Sequence, residues 1–171
     1  MVVQTMQSRI VCVDVRYKNS WLIVIMLKTL LHRIFKPGTV PKSLRHTLEQ
    51  EGIVLLEEGI RGWFVTNKVS GPGMRYRFRK EGFIGFLGIT KVRLICYTFG
   101  KRQINISLND PKLAHLYIAL PAEHTLSVAF ESAEFSPKMK GVIEFRFMTE
   151  KAAYYHTSLL KAGARQGLPP E

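Results

Sequence analysis

The sequence predicts a mainly β domain, an antiparallel barrel or sandwich capped by one C-terminal α-helix, and three observations carry that expectation. Between Glu51 and Phe147 the chain breaks into short β-branched and aromatic runs separated by Gly- and Pro-containing turns. Within this stretch Met74, Tyr76 and Phe78 alternate with Arg75, Arg77 and Arg79, the period of two that belongs to a strand. The run Val142–Phe147 then leads into a segment of helical period. There Met148, Ala152, Tyr155 and Leu159 recur at spacings of four, three and four and share one face.

That helix has its own start and stop signals. Thr149 is a candidate N-cap and Glu150 suits the positive end of the dipole, Lys161 suits the negative end, and Gly163 suits a left-handed C′ position. The expected helix is Thr149–Ala162, packed through Met148, Ala152, Tyr155 and Leu159.

Upstream, Lys42–Gln50 reads as a short helix ending at Gly52. Strands are expected at Ile53–Leu56, Trp63–Val69, Met74–Lys80, Phe83–Ile89, Lys91–Phe99, Gln103–Leu108, Leu116–Leu120, Leu126–Phe130 and Val142–Phe147. Ser70–Gly73 is a strong turn signal, Gly100–Lys101 a tight turn, and Asn109–Pro111 a break. In the alternating strand one face is expected to pack and the other to be cationic. Gly167–Glu171 reads as a loose tail.

The division follows: residues 1–49 an N-terminal extension, 50–162 the β domain, 163–171 a flexible tail. In the extension, Trp21–Leu27 is an apolar run too short for a bilayer span, which needs about 20 residues. It carries no small-x-small cleavage site of a signal peptide. Ile23, Leu27, Leu30, Leu31 and Ile34 share one helical face beside Lys28, His32, Arg33 and Lys36, the pattern of an interfacial amphipathic helix or of one packed on its own domain. Met26 opens this stretch and is the expected native start, which would leave residues 1–25 outside the native protein.

The 171 residues carry a formal charge of +12, concentrated towards the N-terminus. Residues 1–50 hold eight Lys and Arg against two acids, whereas 101–171 hold nine against seven. Such a chain is drawn to anionic lipid, nucleic acid or acidic protein surfaces. The two cysteines, Cys12 and Cys96, lie in separate apolar runs with no CxxC and no clustered histidine, so the expectation is two reduced thiols, a cytoplasmic protein, and no metal or other cofactor. No nucleophile elbow, P-loop or HExxH motif is present, and a non-enzymatic role is expected.

The segment Ile89-Thr90-Lys91-Val92-Arg93-Leu94 resembles the LTxxRL strand-turn-strand signature of bacterial pleckstrin-homology-like and GRAM-like domains, with Ile in place of the first Leu. The ending Gly141–Phe147 followed by one helix is similar to the close of such a domain, and the resemblance covers about residues 50–162. It implies two nearly orthogonal antiparallel sheets capped by a helix, used as a docking platform for phosphoinositides, other anionic lipids or peptides. Lys68, the Ser70–Gly73 turn and Arg75-x-Arg77 resemble the family's phosphoinositide-binding hairpin. Lys68, Arg75 and Arg77 are therefore the expected anion site, with the protein peripheral at the inner face of a membrane. Alternate residues on a strand point the same way, so the two arginines can grip one phosphate by forked hydrogen bonds while Lys68 adds a point charge. The alternatives are an arginine-solubilised strand on a protein-interaction platform without lipid affinity and, with less support, a nucleic-acid-binding domain whose rings stack on bases.

Overall fold

The computed structural model describes residues 38–169. The expected amphipathic helix at 23–36, the Met26 start and Cys12 lie outside the described residues.

Eight strands form one continuous sheet: β1 (Ile53–Gly71), β2 (Met74–Thr90), β3 (Arg93–Thr98), β4 (Lys101–Ser107), β5 (Tyr117–Ala122), β6 (Thr125–Glu131), β7 (Lys140–Met148) and β8 (Arg165–Gln166). Their order is β4-β3-β2-β1-β7-β6-β5-β8. All pairs are antiparallel except β5–β8. Two meanders, β1–β4 and β5–β7, are thus sewn together by pairing of β1 with β7. The helices are α1 (Lys42–Gln50), the four-residue α2 (Ser132–Phe135) and α3 (Ala152–Lys161), with a 3₁₀ turn at Pro111–His115.

The sheet curls because one core is shared by residues far apart in strand order. Leu94 and Cys96 of β3, Ile104 and Ile106 of β4, Ile118 of β5 and Leu126 and Val128 of β6 all enter the same buried cluster. Ala152, Tyr155 and Leu159 of α3 fill its open side, spaced on one face as the sequence predicts. The Tyr155 hydroxyl donates to the Leu87 carbonyl at 3.0 Å, tying the helix to β2 across the core. A second cluster lies on the opposite face of β2 and β3, where α1 and Val40 cover Phe86 and Ile95. The Phe86 and Tyr97 rings stack there at 4.8 Å. This is why residues 85–90 of β2 are buried on both faces and lose their alternation.

Several sequence expectations change. Ile53–Leu56 and Trp63–Val69 are one strand, because Gly59 is absorbed as a register shift whose N–H bonds to the Gly38 carbonyl. Met74–Lys80 and Phe83–Ile89 are also one strand, with Gly82 facing the Trp63 ring. In place of two nearly orthogonal sheets there is one curled sheet. Met148, expected on the inner face of the helix, ends β7 and is 56% exposed. The helix starts at Ala152, since Thr149 builds a turn instead: its hydroxyl accepts from the Lys151 N–H at 3.0 Å and donates to Glu57 at 2.6 Å. The stop is as expected. Gly163 (φ 109°) follows the last turn, and the Gly163 and Ala164 N–H groups bond back to Leu160 and Leu159 in a Schellman arrangement. Arg165 and Gln166, expected in the tail, pair in parallel with Tyr117 and Ile118.

Candidate functional site

The segment that resembled a family signature is a turn device. The Thr90 hydroxyl accepts from the Val92 and Arg93 N–H groups at 3.1 and 3.0 Å, closing the β2–β3 connection. Arg93 pairs with Glu51 at 2.7 Å and donates to Asn105 at 3.1 Å. Arg93 is therefore committed to the structure and adds no free cation to a patch.

The β1–β2 hairpin places the expected anion site. Gly71 pairs with Met74 across a Pro72–Gly73 turn, and Gly73 has φ 72°, the Pro-then-Gly order of a type II turn. Ser70 stands opposite Arg75, and Lys68 lies across from Arg77 between the Asn67–Phe78 and Val69–Tyr76 pairs. Lys68 sits at a bulge of β1 against β7, with φ 50°. That bulge demands glycine opposite: a Cβ on Gly141 would lie 2.5 Å from the Lys68 carbonyl oxygen. The register thus brings Lys68, Arg75 and Arg77 to one end of the sheet. All three are exposed, and none has a carboxylate within salt-bridge distance among the described residues. Arg79, next along the same face, is instead paired with Glu81, its Nε at 2.8 Å from Oε1, a hydrogen bond that raises the guanidinium pKa further.

Two features here were not foreseen. The first is that β3 pairs only with Gly85–Ile89 of β2, so the first half of β2 pairs with β1 on one side and with no described strand on the other. The second concerns the face expected to pack. Met74, Tyr76 and Phe78 are exposed, Phe78 by 66%, and Trp63 on the same face is 42% exposed. Lys80 Nζ rests 4.4 Å from the Trp63 ring centre. The hairpin therefore shows solvent a cationic face and an aromatic face at once.

A cavity of about 460 Å³ opens on the concave side of the sheet. Its walls include Phe64, Phe130, Phe135, Phe145 and Ile143, four consecutive residues of the edge strand β4, Gln103–Ile106, run along it, and Asp110 and Lys112 add a charge of each sign to its lining. Met139, at one end, is 3.2 Å from where a Cβ would stand on Gly71 at the base of the hairpin turn. The sequence carried no signal for this cavity, because its lining comes from β1, β4, β6, β7 and α2, which only the fold brings together.

Among the other polar groups of the described residues, the buried hydroxyls of Thr66 and Thr98 lack a hydrogen-bond partner, while the buried or paired groups that follow are internally satisfied. Glu144, nearly buried, accepts from Ser127 at 2.7 Å and from Arg146 at 2.7 and 2.9 Å, and that bonding raises the Arg146 pKa. Glu57 accepts from Thr149, while Glu58 pairs with Arg45. His115 faces Glu134 at 3.3 Å on the surface. Burial pushes the Cys96 thiol pKa up, away from the thiolate a nucleophile needs. Among the described residues no group of three or more His, Cys, Asp or Glu is placed to hold a metal ion. No described helix is long and apolar enough to cross a membrane. Comparison with protein-family models, with curated proteins and with solved structures gave no match.

Proposed function

We propose that the chain is a non-catalytic module, similar to pleckstrin-homology-like and GRAM-like domains, that docks on the anionic cytoplasmic face of a membrane through the β1–β2 hairpin. The observation that carries this reading is the hairpin itself: Lys68, Arg75 and Arg77 stand exposed with no carboxylate partner among the described residues, and its other face exposes Trp63, Met74, Tyr76 and Phe78. Cations suit the negative headgroup layer, at about 1 kcal/mol each near the surface. Aromatic rings suit the headgroup–acyl boundary. The edge of β2 that no described strand covers sets the depth. Its unpaired N–H and C=O groups need water or headgroup partners and cannot enter hydrocarbon, so the hairpin lies in the interface.

A second copy of the chain is a poorer occupant of that edge. An antiparallel β2–β2 pair centred on Arg77 would set arginine against arginine, and like charges directly opposite are destabilising. An acidic protein surface satisfies the cations but gives no account of four exposed apolar side chains beside them, and nucleic acid would use the rings only by stacking.

The test is co-sedimentation of the purified protein with vesicles of neutral lipid and with vesicles containing anionic lipid, across a salt series, beside gel-shift titrations with RNA and DNA. The expected outcome is binding to the anionic vesicles only, weakening as salt rises but leaving a salt-resistant remainder from the rings. Binding to nucleic acid along a steep log-salt slope, with none to vesicles, would replace the membrane reading. Binding to neither would leave a protein-interaction platform.

A further inference from the structure

We infer that the concave cavity receives the hydrocarbon chain of a single-chain phosphate amphiphile, whose headgroup rests on the Arg75–Arg77 row. This rests on the anionic-lipid reading and names a form of that lipid. Three observations meet here. The cavity's volume, about 460 Å³, falls within the range of about 300–1,000 Å³ of small-ligand sites, and its wall is mainly aromatic and aliphatic. It runs beside Gln103–Ile106, about 10 Å of strand at roughly 3.3 Å per residue, which suits an extended chain better than a compact ring system.

The third observation is register. Phe64 and Phe145, which line the cavity, are paired neighbours on one face of the sheet, and Thr66 is paired with both Ile143 and Arg79. Arg77 and Arg75 continue that same face of β2 towards the turn. At that end the cavity wall, through Met139, adjoins Gly71, and Ser70 beside it is paired with Arg75. Apolar volume and the Arg75–Arg77 guanidinium groups, which have no carboxylate partner among the described residues, therefore share one face of the sheet. A phosphate monoester, with up to two negative charges and three acceptor oxygens, can engage two forked guanidinium groups at once. An amphiphile held this way satisfies both halves, whereas a neutral hydrocarbon leaves the arginines unused and a free phosphate leaves the cavity unfilled.

The experiment is calorimetric titration of the full chain with dodecyl phosphate below its aggregation concentration, against dodecanol (chain without charge) and glycerol 3-phosphate (charge without chain). Dodecyl phosphate is expected to bind at least tenfold more tightly than either. Ser136→Trp, which adds bulk at the cavity rim, and Ile104→Trp, which fills it from β4, are each expected to weaken dodecyl phosphate binding tenfold or more. Ser136→Trp is the arm that keeps the question open to disproof if Ile104→Trp fails to fold. Dodecanol binding as tightly as dodecyl phosphate, or a folded Ser136→Trp protein binding dodecyl phosphate normally, overturns the inference. Vesicle docking without dodecyl phosphate binding sinks the inference and leaves the membrane reading standing. Dodecyl phosphate binding without vesicle docking sinks the membrane reading and leaves the cavity assignment.

Discussion

Replacing Tyr155 by Phe removes one oxygen from the centre of the domain and changes little else. The phenol is fully buried, and its hydroxyl donates to the Leu87 carbonyl at 3.0 Å. A net hydrogen bond of this kind contributes about 1 kcal/mol, so the variant should lose about 1 kcal/mol at pH 7 and melt about 3–4 °C lower. Its pH dependence is more diagnostic. Burial, and after it the charge of Glu57, push the Tyr155 pKa above its ordinary value. The folded pKa is therefore higher than the unfolded value of about 10, and the contribution is fully present below about pH 10. As pH rises further the unfolded phenol ionises while the folded one keeps its proton, and the parent loses up to about 1.4 kcal/mol per pH unit that the Phe variant does not lose. The stability gap should close between about pH 10.5 and 11. Urea melts of both proteins from pH 7 to 11 read this directly, because the other tyrosines titrate in both and cancel. Parallel stability curves across that range would refute both the hydrogen bond and the burial it implies.

Four further outcomes follow from named contacts. Leu159→Ala, at a fully buried helix position, should cost about 2–5 kcal/mol in a denaturant melt. Gly85→Ala should be at least as damaging by the same measurement, since its Cβ would lie 1.9 Å from the Tyr97 carbonyl oxygen and force β2 from β3. Cys96 should resist alkylation in the native protein and react only on unfolding, as peptide mapping after labelling will show. Arg75→Ala with Arg77→Ala should leave the melting temperature within about 1 °C, because exposed arginines without carboxylate partners orphan nothing when removed. It should lower vesicle partitioning roughly 30-fold, at about 1 kcal/mol per cation.

What was legible in the sequence is what local physics determines. Lys42–Gln50 folds as the helix the pattern predicts, and Ala152, Tyr155 and Leu159 bury as their spacing requires. The Pro72–Gly73 turn falls where glycine supplies positive φ, whereas the turn expected at Gly100–Lys101 lies one residue earlier, at Phe99–Gly100, with both residues at positive φ. Strand merging was not legible, because Gly59 and Gly82 read as breaks until a partner strand absorbs them. Nor was the exposure of Met74, Tyr76 and Phe78. Alternation fixes that two faces differ, but which face is covered depends on how far β3 reaches along β2, and β3 stops at Gly85. Met148 failed for a related reason: strand and helix meet there, and β7 keeps it to pair with Arg61 and Thr125. Of the candidate site, the cations were readable from residue type and spacing. The cavity was not, since its lining residues are far apart in the chain and come together only in the fold.

The seam between β1 and β7 has a consequence for how the molecule assembles. Every other antiparallel pair in the sheet joins strands consecutive in the chain, and each can form early at small entropic cost. The seam instead joins residues such as Gly62 and Phe147, with five other strands between them in the chain, so it closes late and sets the folding rate. Gly62 sits near one end of it, where a Cβ would meet the Arg146 carbonyl oxygen at 2.1 Å, and the two backbones mate there with no side chain between them. Substituting Gly62 by Ala is thus expected to act as a kinetic lesion as well as a thermodynamic one. Two separately formed meanders would wait for each other with Trp63 and the β1 edge uncovered, and refolding yield should fall with protein concentration as that edge finds the wrong neighbour.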